Sequence, residues 1–325
     1  MSDRPTPPEG VWLACDDLQT DPAGGRQHEL RLVRRLATNE VDEANAAAQF
    51  LLGLTDGPYT AVTNAIDGFF AERERALDSL ASGSPPSNSE LRERFSDTLA
   101  RFRVFLNRTE SDLVRRYGKG SAQHKAFKNA TATEYDASFA YRLMYNLRNE
   151  SDHVQGVVGV SHSSSIQPDG TSERRVTVWV LDKVLDTGDW QPRLKRDLLS
   201  APRPTNAEPL LAYLREAVSR ILGRTLLGQS HEISAACATI RALATEAECG
   251  PHPIMVELVP TEGGRTELRM TLLGLPLNAC DVLEVALTEA NRYTWSRWSV
   301  PLDDSTFATE RVSDVGQFVG ELRGV

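Results

Sequence analysis

The chain has 325 residues, 40% apolar and 25% charged, with a formal net charge of −9. That length allows a sizeable core and more than one domain, and the acidic balance excludes a protein that coats nucleic acid with its whole surface, though not one with a local basic site. The N-terminus MSDRPTPPEG has no basic segment followed by an apolar one, no window reaches the length of a membrane span, and Cys15, Cys237, Cys249 and Cys280 form no C-x-x-C pair, so we expect a soluble cytoplasmic protein with reduced, buried thiols.

In chain order, residues 1–37 read as an N-terminal extension, with VWLAC at 11–15 as an edge strand before a DPAGG turn signal at 21–25. Asn39 to Ser82 reads as helix with a break near DGP at 56–58, closed by the polar linker SGSPPSNS. Leu91, Phe95, Leu99, Phe102, Leu106 and Leu113 then recur near the helical period, which predicts a long helix capped by Ser89 and stopped at Tyr117-Gly118-Lys119-Gly120. A connection through 123–131 leads to a helix over 133–150 with Thr133 as cap, where Phe139, Leu143 and Leu147 form the apolar stripe and Tyr141, Tyr145 and Arg148 a neighbouring face.

After residue 154 the texture changes. VQGVVGVSHSSSI and RRVTVWVLDKVL flank a Pro-Asp-Gly turn and predict a β-hairpin over 154–185. Helix is expected from Asn206 to about Cys249 with a break near Gly228, then a second hairpin over 254–273 and a last helix over 277–291. The fold class is therefore α+β: an all-α bundle over 38–154 and a mixed region of hairpins and helices over 155–325.

The helix at 133–150 ends in Arg148 and Asn149, with His153 four residues beyond Asn149. This L-R-N-x-x-x-H wording resembles the R-x4–6-H motif of HEPN domains, helical bundles many of which are metal-independent endoribonucleases. The resemblance covers about 38–154. It implies His153 as general acid/base, Arg148 as the cation that stabilises charge developing on phosphorus, and Asn149 as a positioning group, with no metal and no cofactor. It further implies RNA as substrate, a homodimer centred on 133–153, and a role as toxin or phage-defence effector, with room for a protein regulator. The chain departs from many such toxins in having Val154, Gln155 and Gly156 where they carry a tyrosine, so Tyr141 or Tyr145 would have to supply that group. Asp152 lies i, i+4 from Arg148 and offers it an ion pair.

The chemistry fits those residue types. Attack of a 2′-hydroxyl on the adjacent phosphate needs a group titrating near neutrality and a fixed cation, and arginine's planar fork can hold two phosphate oxygens. The alternative is a helix C-terminus at which His153 and Arg148 satisfy carbonyls and pair with Asp152. Close by, residues 101–128 hold eight basic side chains against Glu110 and Asp112. Arg108, Arg115, Arg116, Lys119, Lys125 and Lys128 either bind an RNA backbone or form a solvated helix face. Tyr141 and Tyr145 are read as packing residues before stacking platforms.

Other constellations carry less. Arg224…His231 repeats the motif spacing but lacks the amide and encloses Gly228, and Gly159-Val-Ser161-His162-Ser163 lacks the final glycine of a nucleophile elbow. Cys249-Gly-Pro-His252 and His231-Glu232 lack a partner pair for a metal. The expectation is RNA binding and cleavage by a non-membrane protein; the alternative is a non-catalytic dimeric module that binds RNA or a protein.

Overall fold

The computed structural model describes residues 9–20, 26–84, 86–150, 156–166, 172–201, 203–248, 253–260 and 266–292. Its elements run β1 (Gly10–Thr20), β2 (Arg26–Arg35), α1 (Thr38–Thr55), α2 (Pro58–Ala81), α3 (Asn88–Tyr117), α4 (Ala122–Ala137), α5 (Phe139–Glu150), β3 (Val158–Ile166) and β4 (Ser172–Val180). They continue with α6 (Asp182–Thr187), α7 (Pro192–Ser200), β5 (Thr205–Asn206), α8 (Ala207–Leu227), α9 (Ser230–Ala247), β6 (Pro253–Pro260), β7 (Thr266–Gly274) and α10 (Leu277–Arg292). The α+β class holds, with helices in the majority and small antiparallel sheets. Among the described residues no helix is long and apolar enough to cross a membrane.

Two compact units form, and neither follows the divisions at 38 and 154 that the sequence texture suggests. Among the described residues, the first joins those from 9–55 to those from 229–286, and the second holds those from 56–228 with 287–292. In the first unit the strand order is β2-β1-β6-β7, so VWLAC lies on an inner strand and not at an edge. Gly10 pairs with Leu258 and Trp12 with Val256 on one side, and Trp12 with Arg35 on the other. Leu13, Ala14 and Cys15 are all buried, as an inner strand requires. The alanine-rich faces of α1 and α9 pack on each other, and Arg34 reaches both Glu40 (2.7 Å) and Glu246. Arg34 and the Ala37 N–H hold the Glu40 carboxyl down to about 2. The expected turn at 21–25 lies outside the described residues.

The second unit is built around α3 and α5. Leu91, Phe95, Leu99, Phe102, Leu106 and Leu113 are buried as the periodicity predicts, packed with Phe69 of α2, Phe127 of α4, Leu143 and Leu147 of α5, Val158 and Val160 of β3, and Leu211 and Leu214 of α8. α3 starts one residue before Ser89: Ser87 takes the cap position, and its hydroxyl bonds Ser89 Oγ at 2.9 Å. At the other end Gly118 adopts φ +88°, a conformation that stops the helix and that side chains rarely take.

The stretch expected to be a connection, 123–131, is helical, and the single helix over 133–150 is two. Ser121 caps α4 by accepting the His124 N–H at 3.2 Å. The break is Ser138, extended at φ −121° and ψ 123°, whose Oγ accepts the Tyr141 N–H at 3.2 Å. Thr133 caps nothing; it bonds Asn129 O inside α4. The corner is held by Arg142, which donates to the Tyr135 and Asp136 carbonyls at 2.7 and 3.0 Å and pairs with Asp197 of α7 at 2.8 Å. A buried arginine thus satisfies the carbonyls that the end of α4 leaves without helical partners.

The β3–β4 hairpin forms in the expected place, Val158 against Val180, with β5 beside β4. Its second strand ends five residues before Leu185, because the Leu181 N–H closes onto Val157 O (3.0 Å) and Leu181 then opens α6. Trp190 is buried in this second unit and donates Nε1–H to Leu185 O at 2.7 Å. α8 is tied to α2 by Arg215–Asp67 and Arg73–Glu208, both 2.8 Å, and to α4 by Arg220–Glu134 at 2.7 Å.

Candidate functional site

Arg148 sits in the last turn of α5, where its side chain turns inward. It is 9% exposed, with its guanidinium carbon 3.8 Å from the centre of the Tyr145 ring and 5.8 Å from that of Phe102. Tyr145 and Arg148 share a face, as i, i+3 spacing requires, but that face looks into the core. Burial pulls the Arg148 pKa below the usual arginine value, and the tyrosines Tyr145 and Tyr141 pull in the other direction. The cation rests on aromatic faces, an arrangement worth about 2 kcal/mol when desolvated, and little of it is left for a phosphate to reach.

Tyr141 is a core residue. It is fully buried, edge-on to Phe102 at 5.6 Å, and its hydroxyl has no hydrogen-bond partner among the described residues. Burial drives its pKa well above the usual phenol value. Enclosed in this way, it does not reach the surface and is not placed as a supporting site residue. A buried hydroxyl without a partner costs more than it contributes. Tyr141→Phe should therefore stabilise the protein by about 1 kcal/mol, seen as a higher urea midpoint, with RNA affinity unchanged. Loss of RNA affinity in a stabilised Tyr141→Phe protein would return the residue to the site.

Tyr145 is half-buried between Arg148 and Tyr135, whose ring centre lies 5.4 Å away. Asn149 belongs to α5, but its side chain lies outside the described residues, as do Asp152 and His153 entirely. Of the motif, only Arg148 is placed. Sequence pattern missed Phe102, which lies against both Tyr141 and Arg148. The signal was available: Phe102 belongs to the apolar repeat of α3.

The basic residues lie on α3, on α4 and in the turn between them. Arg108, Arg115 and Arg116 on α3, Lys119 in the turn, and Lys125 and Lys128 on α4 are all exposed. Arg101, Arg108 and Arg115 are spaced by seven residues and so form one stripe. Part of the charge is offset: Arg115 pairs with Asp112 at 2.8 Å, Arg101 with Asp97 at 3.1 Å, and Lys128 with Glu110 at 3.2 Å. Burial works to raise the Glu110 carboxyl, but His124 and Lys128 outweigh it and keep it below the usual range. Arg108, Lys119 and Lys125 enter no ion pair among the described residues.

His231 and Glu232 occupy the first turn of α9, and Ser161 and His162 lie on β3. Cys249 and His252 lie outside the described residues. Among the described residues no three His, Cys, Asp or Glu side chains converge as metal ligands. No family model, curated protein or solved structure matches the chain.

Proposed function

We propose that the second unit is an RNA-binding helical module of the HEPN-like kind that takes the phosphate backbone at the α3–α4 corner and does not cleave it. The observation that carries this reading is the exposure of Arg108, Lys119 and Lys125 with no acidic partner among the described residues, in a chain whose overall charge is −9. A local positive corner on an acidic protein attracts a polyanion while the remaining surface repels it, which confines binding to one place. The resemblance of the L-R-N-x-x-x-H wording and of the helical sequence over 38–154 to HEPN domains supports RNA as that polyanion. The burial of Arg148 supports binding over catalysis.

A homodimer remains part of the proposal in narrower form. Ala140 to Met144, Leu147 and Arg148 are buried within the unit, so the body of α5 has only the half-buried Phe139, Tyr145 and Asn146 to offer a second copy. A two-fold contact would use the residues after Arg148.

Metal-independent cleavage is the second reading, favoured by one observation: Arg148 stands in the last turn of α5 against the Tyr145 ring, directly before Asn149 and five residues before His153. His153 would then move the proton and Arg148 would act through its field at the phosphate, with the toxin or phage-defence role that such an activity implies.

One experiment separates the readings. End-labelled single-stranded RNA is titrated with the protein in EDTA at several salt concentrations, and the RNA is then run on a gel. The Arg108→Glu/Lys119→Glu/Lys125→Glu variant should bind at least about tenfold more weakly and lose about 2 from the slope of log affinity against log salt, roughly 0.7 per lost phosphate contact. Equal binding by variant and parent would overturn the corner as the RNA site. Intact RNA is the expected gel result; cleavage that disappears in His153→Ala would establish the ribonuclease reading.

A further inference from the structure

Within the first unit, α9 and the first part of α10 bring two thiols together. Cys237 of α9 and Cys280 of α10 are both buried, and each thiol is near enough to the other to shift its pKa. One helical turn beyond each thiol the same two helices are clamped by ions. Arg241 donates NH1 to Glu284 Oε1 at 2.5 Å and NH2 to Asp281 Oδ1 at 2.7 Å and to Glu284 Oε2 at 3.0 Å. Cys237 and Arg241 are i, i+4 on α9; Cys280 and Glu284 are i, i+4 on α10. The clamp therefore ties the two helices to each other one turn away from each thiol.

We propose that Cys237 and Cys280 are a dithiol site that a low-molecular-weight disulfide oxidises to a bond linking α9 to α10. The balance is that of thiol–disulfide exchange. One protein thiolate attacks a sulfur of the reagent and releases one small thiol, and the second protein thiolate then attacks the mixed disulfide and releases the other. Two S–H bonds are lost from the protein, one S–S bond forms, and the reagent's S–S bond is reduced to two thiols.

The surroundings set the rate. Burial raises the Cys237 thiol and pushes Cys280 up to about 12, so the thiolate that must attack is scarce while the helices stay packed. The pair resists brief exposure and reacts when α10 lifts from α9. Once formed, the bond closes a long loop in the unfolded chain and so opposes that lifting.

The test uses the full-length protein, incubated with oxidised glutathione, unfolded in the presence of an alkylating agent and mapped by peptide mass. The expected result is a cross-linked peptide pair containing Cys237 and Cys280, lighter by two hydrogens, formed more slowly than glutathione reacts with a small free thiol. The first unit's unfolding midpoint should rise by roughly 5 °C or more and return on reduction. Cys237→Ala and Cys280→Ala should each abolish both changes, and Cys15→Ala should leave them intact; serine variants at the same positions guard against a packing defect. Cross-links to Cys15 or Cys249 instead, stable mixed disulfides with glutathione, or thiols that stay free when the protein is held near its unfolding midpoint would each overturn the proposal.

Discussion

Replacing Arg220 with methionine should cost the second unit about 3–5 kcal/mol, the range for stranding one member of a buried ion pair. Glu134 is 6% exposed, and its two carboxylate oxygens receive Arg220 Nε and NH2 at 2.8 and 2.7 Å. Burial works against the Arg220 charge, yet the bonds to Glu134 and then Glu216 keep its pKa above the usual value. Without the arginine a carboxylate is left in the core between α4 and α8. The opposite change is milder, because in Glu134→Gln the arginine keeps Glu216 at 3.3 Å and is a quarter exposed; about 1–2 kcal/mol is expected. The double variant Glu134→Leu/Arg220→Met buries no charge and should recover most of the loss. Urea unfolding of the three proteins measures all of this. Equal costs for the two single variants, or a double variant as unstable as their sum, would show that the pair is not acting as a desolvated unit.

That same pair explains why part of the fold could be read from sequence and part could not. α3 was legible because its buried face from Leu91 to Leu113 is apolar except for Thr98. α4 was not, although its buried residues His124, Phe127, Ala130 and Glu134 follow the helical spacing just as well. Two of the four are polar, held inside by Glu110 and by Arg220, so a search for apolar repeats passes over them. The break at Ser138 escaped for a related reason: what stabilises it is Arg142 on the α4 carbonyls, a contact made by a residue that reads as surface. The inner position of β1 depends on pairing Gly10 with Leu258, and no local pattern carries a partner so far along the chain. At the candidate site the i, i+3 relation of Tyr145 and Arg148 was readable, while the direction of that face was not. Direction is decided by Phe102 on another helix.

Phe102→Ala should cost about 3–5 kcal/mol, the loss of a buried ring plus the cavity it leaves. The residue is fully buried in α3, its ring edge-on to Tyr141 at 5.6 Å and 5.8 Å from the guanidinium carbon of Arg148. Removing the ring opens space beside Arg148 while Tyr145, at 3.8 Å, still holds one face of the cation. Phe102→Leu keeps most of the volume and should cost under about half as much. The pair of variants therefore also bears on function. If Arg148 serves only to pack the end of α5, both proteins, assayed at a temperature where they are folded, should bind RNA as the parent does, since the α3–α4 corner is untouched. If Arg148 stabilises charge at a phosphate, Phe102→Leu should already lower cleavage with little change in affinity, because a cation held by one ring is less precisely placed than one held by two. A change in kcat at constant affinity in Phe102→Leu would thus move the weight to the ribonuclease reading, and unfolding data on the same samples would keep that result separate from loss of the fold.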